Sequence, residues 1–428
     1  MKDSGVSWLG EIPEHWSVVP LKTAFTRVKR KPIEGAGIVT AFRDGEVTLR
    51  SNRRSEGYTE ADDYSGYQRI LPNDLAIHAM DAFAGAIGVS DSDGMCSPVL
   101  SVCVANYGND PRFMGYQIRL MAKRGWIESL SRSVRERTSE FRWAEAGKQK
   151  VALPPADEQK SIADFLDREL RLITELTDSQ VRFLELIKER RQREIDLAVT
   201  TGYQYSSEMK AVNLNGIRSE ILSHWTVRKL KSLSSQISKG TTPSTLGAAY
   251  ESSGIRFIRG EDLVDGKLTD EGSVFISHEA HETMSRSQLA DQDILYVIAG
   301  TLGKTALVQS HHLPLNTNQA ICFIRLKNRW MAEWVKFWLE SSPAKNISSM
   351  LAVTAAQPNL SMESLGSFVL PVPSRSEQEA AVKYLKQNLE KLDLLAGKAK
   401  TLIRELEGRR SALVSAAVTG KIDVRGKS

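Results

Sequence analysis

The second half of the chain follows the plan of the first. The run Glu11-Ile12-Pro13-Glu14-His15-Trp16-Ser17-Val18 returns as Glu220-Ile221-Leu222-Ser223-His224-Trp225-Thr226-Val227, an offset of 209 residues. A longer segment, 154–200, returns as 373–419 at an offset of 219. There Glu158-Gln159 matches Glu377-Gln378, Phe165-Leu166 matches Tyr384-Leu385, Arg190-Arg191 matches Arg409-Arg410, and Ala198-Val199-Thr200 matches Ala417-Val418-Thr419. A period this long is not that of a solenoid; it is a duplicated module, and it predicts one task performed twice.

Each half opens with a mixed globular region and closes on one long helix. The first globular region is rich in turn signals, Arg43-Asp44-Gly45, Pro72-Asn73-Asp74 and Ser92-Asp93-Gly94, with short apolar runs between them at 75–78 and 99–104 that read as buried strands. The second is built alike, with strands expected at 294–298 and 320–325. Both carry a helical stretch near their ends, around 114–130 and 331–341. The fold class is therefore α+β, with boundaries expected at 1–153, 154–203, 204–372 and 373–428.

The long helices carry an alternating 4,3 spacing of apolar residues. In the first these are Ile162, Leu166, Ile173, Leu176, Phe183, Ile187 and Leu197; in the second Ala381, Leu385, Leu392, Leu395, Leu402, Leu406 and Ala416. This is the period of a coiled-coil seam. Pro154-Pro155 fixes the start of the first helix, and Ser374 with Glu377 offers a capping box to the second. Each helix would span roughly 65 Å. The expected arrangement is two antiparallel helices forming a spacer, with a globular domain at each end and an approximate two-fold relation between the halves. An ordinary bundle is the alternative.

Composition is that of a globular protein: 41% hydrophobic and 25% charged residues, with a net charge of +5. That mild excess is compatible with nucleic acid without requiring it. Cys96, Cys103 and Cys322 show no paired spacing and read as buried or free thiols. The polar start lacks a signal-peptide core and no apolar run is long enough for a membrane helix, so a cytoplasmic location without membrane contact is expected.

Three motifs imitate chemistry. The segment 299–305 ends in Gly303-Lys304-Thr305, but Ile298 stands where a phosphate-binding loop needs glycine, and the following residues continue as strand. Asp157-Glu158-Gln159-Lys160 resembles part of a nuclease motif, yet its repeat replaces the lysine with Glu379; carboxylates favoured at a helix start explain both copies. His311-His312 has no further ligand at metal spacing and reads as a turn. With no other reaction machinery in view, a binding or scaffolding protein is expected, without catalytic or metal residues.

The chain resembles the specificity subunit of type I restriction-modification systems. The His-Trp-x-Val openings, the duplicated Pro-x-x-x-Glu-Gln helices ending near Gly202 and Gly420, and local sequence at 74–90 with Ser97-Pro98 and at Asp293, 300–304 and Asn318-Gln319 carry the resemblance, which covers essentially the whole chain. It implies two target recognition domains, each reading half of a split double-stranded DNA sequence, with the helices as spacer. It implies methyltransferase subunits, two per chain, and motor-nuclease subunits as partners. S-adenosylmethionine, ATP and Mg would belong to those partners, with no cofactor in this chain. The alternative is a duplicated coiled-coil scaffold that binds protein only.

Base edges are read by Arg, Lys, Asn and Gln, whereas phosphates need only charge or a backbone amide. On that basis the candidate DNA-contacting residues are Arg43, Arg50, Asn52, Arg53 and Arg54 in the first domain. In the second they are Lys239, Thr241, Thr242, Thr301, Gly303, Lys304, Asn316, Asn318 and Gln319. A solvated turn or a buried structural polar group is the alternative for each. His78, Met80 and Phe83 read as core or domain-interface residues rather than readers. Arg190-Arg191 and Arg409-Arg410 could face phosphate or a docked subunit, or serve the helix C-terminus.

Overall fold

The computed structural model describes residues 1–33, 35–53, 66–130, 141–202, 208–243, 247, 249–354 and 358–424. Two compact units emerge: Met1–Gln180 with Lys400–Ser428, and Val181–Ala399. The helices Ala156–Thr200 and Arg375–Val418 each contribute to both.

In the first unit an antiparallel sheet runs in the order Phe25–Val28, Leu100–Ala105, Leu75–His78, Ile87–Val89. The turn before the third of these is set by Asp74, whose carboxylate accepts the Leu71 amide at 2.8 Å. The helix Pro111–Lys123 lies against this sheet. Asp110 caps it by accepting from the Arg112 and Phe113 amides, and its buried face is Phe113, Met114, Gln117, Ile118 and Met121, the spacing of one helical stripe.

The second unit repeats the arrangement with unrelated sequence. Its sheet runs Ser234–Lys239, Ile321–Leu326, Ile294–Val297, Thr305–Leu307, also antiparallel. Asp293 accepts the Ala290 amide at 2.7 Å, as Asp74 does 219 residues earlier. A further three-stranded sheet joins Ile255–Ile258 to Val274–Ile276 and, in parallel, to Leu315–Thr317.

Beneath the two sheets the duplicated frame agrees residue for residue. Ser17–Pro20 pairs antiparallel with Lys150–Leu153, Ser17 opposite Leu153; Thr226–Lys229 pairs with Val369–Val372, Thr226 opposite Val372. His15 Nε2 meets Glu158 at 2.8 Å, and His224 Nε2 meets Glu377 at 2.6 Å. Trp16 stands edge-on to Phe113 with ring centres 6.1 Å apart, and Trp225 edge-on to Trp334 at 5.6 Å. Both tryptophans are buried, so truncating either to alanine costs about 3–5 kcal/mol.

Each tryptophan core also takes in the end of the helix that began in the other half of the sequence. Ala417 and Val418 join the core around Trp16; Ala198 and Val199 join the core around Trp225. Within each unit the two long helices run antiparallel: Glu169 lies near Arg409 in the first, and Tyr384 donates to Glu194 at 3.0 Å in the second. Gln117 fastens the first unit. Its amide donates to the carbonyls of Ala152 and Val418, and its oxygen accepts the Ala152 amide at 2.8 Å.

The apolar seam follows the helix ends. Ile162, Leu166, Ile173, Ile187, Leu385 and Leu406 are buried and Leu392 is half-buried. Leu176, Phe183, Leu395 and Leu402 are exposed, contrary to a seam continuous over every heptad position. Leu170, Ile195 and Leu389, off the 4,3 series, are buried instead. A straight helix drifts about 20° per heptad against a strict seven-residue repeat, which moves buried positions off the series. The capping box forms as expected: the Ser374 amide donates to Glu377 at 2.9 Å, and the Glu377 amide to Ser374 Oγ at 3.4 Å.

All three cysteines are buried and unpaired. Among the described residues no helix is long and apolar enough to cross a membrane.

Candidate nucleic-acid interface

In the first unit Arg43 and Arg53 are engaged by carboxylates of nearby turns. The hairpin Val39–Ala41 with Val47–Leu49 carries Arg43 in its loop and Arg50 and Asn52 just after it. Arg43 is exposed and paired with Asp81 at 2.8 Å. Arg53 binds Asp44 at 2.7 Å and Glu46 at 3.1 Å and lies over the Phe42 ring. Asn52 donates to Thr48 at 2.8 Å, and Arg50 is half-buried beside Thr40. Arg54 lies outside the described residues. His78 is half-buried; its Nδ1 accepts the Asp81 amide, and burial, partly offset by Asp81, pushes its pKa down.

In the second unit the candidates fall into two groups. Lys239 ends its strand exposed; the Gly240 amide then donates to Ile321 and the Thr241 amide to Thr317 at 3.0 Å. The Asn318 amide donates to Ile258, and the Asn318 side chain accepts the Ala320 amide. This brings Lys239, Thr241, Asn318 and the exposed Gln319 to one edge, followed in sequence by the half-buried Thr242.

Thr301, Gly303 and Lys304 sit elsewhere, in the loop joining Ile294–Val297 to Thr305–Leu307. The Val297 amide donates to the Lys304 carbonyl and the Gly303 amide to Val297, so the segment closes a hairpin and opens no helix. These residues line a cavity of about 820 Å³ with Lys188, Gln192 and Lys345.

Asn316 belongs to neither group. It is fully buried: its amide faces the Met284 carbonyl and His281 Nδ1, and its oxygen accepts the Thr317 amide. It anchors the parallel pairing of Leu315–Thr317 and presents nothing to a partner in this conformation. Buried ion pairs also hold the two sheets. Arg30 pairs with Asp74, and Arg325 chelates Asp293 at 2.8 and 2.7 Å.

The imitative motifs have structural duties. Glu158 receives His15; Gln159 donates to the Pro154 carbonyl and accepts the Asp110 amide. Burial pushes the Glu377 carboxyl up, but hydrogen bonds from Ser374, His224 and Trp225 outweigh it and hold the group at about 2. The His311 and His312 rings lie 4.1 Å apart at a surface turn, and His312 Nδ1 accepts the Gln309 amide.

Sequence reasoning passed over Arg119, which the fold places beside Arg410 at a cavity of about 290 Å³ in the first unit. Nothing local to Arg119 distinguishes it from any basic residue on an amphipathic helix.

Residues 223–404 match the family model described as type I restriction modification DNA specificity domain. That match spans 182 of the 428 residues, all in the second half of the chain. A curated relative, the type I restriction enzyme EcoBI specificity subunit of Escherichia coli, is 23% identical over 288 residues, 65% of this chain. The chain matches 59% of that relative's length. Two solved structures have a similar fold. One chain, from work on complex assembly and conformational transition of the type I R-M system, is 14% identical with a TM-score of 0.74, covering 96% of this chain and 100% of its own. The other, the HsdS subunit from Thermoanaerobacter tengcongensis, is 16% identical with a TM-score of 0.53, covering 96% and 98%.

Proposed function

We propose that this chain is the DNA-reading subunit of a type I restriction-modification complex and that it recognises a bipartite, asymmetric target. The observation that carries the reading is the combination of an invariant frame with two unlike readers. His15–Glu158 and His224–Glu377 occupy equivalent positions in a shared strand register, while the sheets above them differ in nearly every side chain. A duplicated frame holding identical readers would select a symmetric site; unlike readers select two different half-sites. The DNA-contacting groups proposed are Arg43, Arg50 and Asn52 in the first reader, and Lys239, Thr241, Thr242, Asn318, Gln319 and the Thr301–Lys304 loop in the second.

The chain itself is proposed to be non-catalytic. Two methyltransferase subunits would supply S-adenosylmethionine-dependent chemistry, and motor-nuclease subunits would use ATP and Mg. Half-sites read from one face of B-DNA have centres near one helical turn apart, roughly 34 Å. Lengthening both long helices together would then widen the unread spacer and leave the half-site letters unchanged.

The test is a salt titration of binding to duplex DNA, alone and with co-purified partners. A reader loses affinity linearly in the logarithm of salt. Affinity that ignores salt would favour a protein-only scaffold instead.

A further inference from the structure

The duplicated frame creates the same corner twice, and the two copies are charged differently. In the second unit the turn Asp265-Gly266 covers Glu340: a Cβ on Gly266 would lie 2.3 Å from the Glu340 carboxylate. In the first unit, 221 residues earlier, the turn Asp44-Gly45 covers Arg119: a Cβ on Gly45 would lie 2.3 Å from its guanidinium. The long helices supply Arg191 to one corner and its repeat, Arg410, to the other.

In the second corner Arg191, Lys267 and Lys336 each have a carboxylate partner. Arg191 pairs with Asp393 at 2.7 Å and donates to the Asp265 carbonyl at 3.0 Å. Lys267 also reaches Asp393, and Lys336 pairs with Glu340, both at 2.9 Å. In the first corner Thr174 stands at the repeat position of Asp393, and arginine replaces Glu340. Among the described residues neither Arg119 nor Arg410 has a carboxylate within ion-pair distance. Burial and the adjacent Arg410 both weaken the hold of Arg119 on its proton, with Tyr116 and Asp44 opposing.

Between these arginines lies the cavity of about 290 Å³. Lys123 and Arg43 stand exposed at its lining, Arg43 already matched by Asp81. Its other walls include Phe83, Leu120, Leu170 and Val414, and no carboxylate lines it. Apolar walls strengthen the field of the cations, because little water screens them. Two guanidinium forks and an ammonium together present more donors than the two oxygens of a carboxylate can use. A phosphate matches them better.

We propose that this corner of the first unit is a phosphate-binding site, with Arg119 and Arg410 as the principal ligands and Lys123 at the rim. Its source rests on the DNA-reading function: a backbone phosphate of the bound duplex, which would seat the first reader and have no counterpart in the second. A free phosphate-bearing molecule is the other source of the same chemistry.

Two measurements on the full chain decide this. The first is the thermal midpoint in inorganic phosphate against chloride at equal ionic strength. Phosphate is expected to raise it for the wild type, and to do so little or not at all for Arg119→Gln and Arg410→Gln. Arg410 is exposed, so its variant does not threaten the fold. The second is anisotropy of a labelled duplex against salt. Each variant is expected to lower the slope of log affinity on log salt by about 0.9, the value of one phosphate contact. A phosphate response without a slope change makes a free phosphate the ligand and overturns the DNA source. Neither response, in a wild type that still binds duplex, overturns the site and leaves the DNA-reading function standing. Failure of the wild type to bind duplex with its partners would instead sink that function, while the phosphate arm still judges the site.

Discussion

The two glycines that end the long helices should differ in how badly they tolerate a side chain. Gly202 and Gly420 occupy equivalent places and both adopt left-handed backbone, φ 76° and 67°. Alanine there costs about 1–2 kcal/mol in strain, partly offset by about 0.4–1 kcal/mol from a stiffer unfolded chain. The surroundings then separate them. A Cβ on Gly202 would meet Leu222 Cδ1 at 3.2 Å and Trp225 at 3.6 Å, which small shifts accommodate. A Cβ on Gly420 would lie 2.3 Å from Pro13 Cγ and 3.0 Å from Trp16, and the proline ring cannot swing aside. Overpacking adds about 1–3 kcal/mol. Gly202→Ala should therefore cost about 1 kcal/mol and Gly420→Ala about 2–4 kcal/mol. Hydrogen exchange of the full chain reads this locally. The slow amides of Ser17–Pro20 and Lys150–Leu153 report on the first unit, and those of Thr226–Lys229 and Val369–Val372 on the second. Gly420→Ala should deprotect the first set. Equal losses at both sets, or a larger effect from Gly202→Ala, would refute the packing of the helix ends on the duplicated tryptophans.

Other outcomes follow from the same geometry. The Glu377 carboxyl is held at about 2, below the ordinary glutamate value, so its stabilisation is complete above about pH 4.3 and is lost as pH falls toward 2. Acid titration of Glu377→Gln should show that dependence flattened, and an unchanged acid limb would count against the His224–Glu377–Ser374 clamp. Asp293→Ala leaves Arg325 without its buried carboxylate and should cost about 3–5 kcal/mol by urea unfolding; a cost under 1 kcal/mol would show the pair to be dispensable. Lys304→Ala should weaken DNA binding roughly equally for all sequences, measured by competition among duplexes. A changed preferred sequence would make it a base reader.

The frame was legible because its signals are local. A proline pair, a capping box, a repeated Glu-Gln and a terminal glycine mark the long helices without reference to anything distant, and duplication supplied an internal control. The readers were less legible. Asn316 lies among Thr317, Asn318 and Gln319, a run that reads as an exposed polar loop, yet its strand pairs in parallel with Ile255–Ile258 and its side chain is enclosed. Parallel pairing leaves no mark in the strand itself. Arg53 read as a free cation because Asp44 and Glu46 approach it only once the hairpin closes. The seam was legible at its ends, where Leu166 and Leu385 meet tryptophan cores, and misleading at Leu176 and Leu395, where heptad counting ignores helical drift.

The central claim is that one frame holds two unlike readers. Selection of bound duplexes from a random pool, using the full chain with its partners, tests it most directly. Two short specified blocks of different sequence should emerge, separated by a stretch of fixed length in which any base is accepted. A single contiguous block, or two identical ones in inverted orientation, would contradict the account.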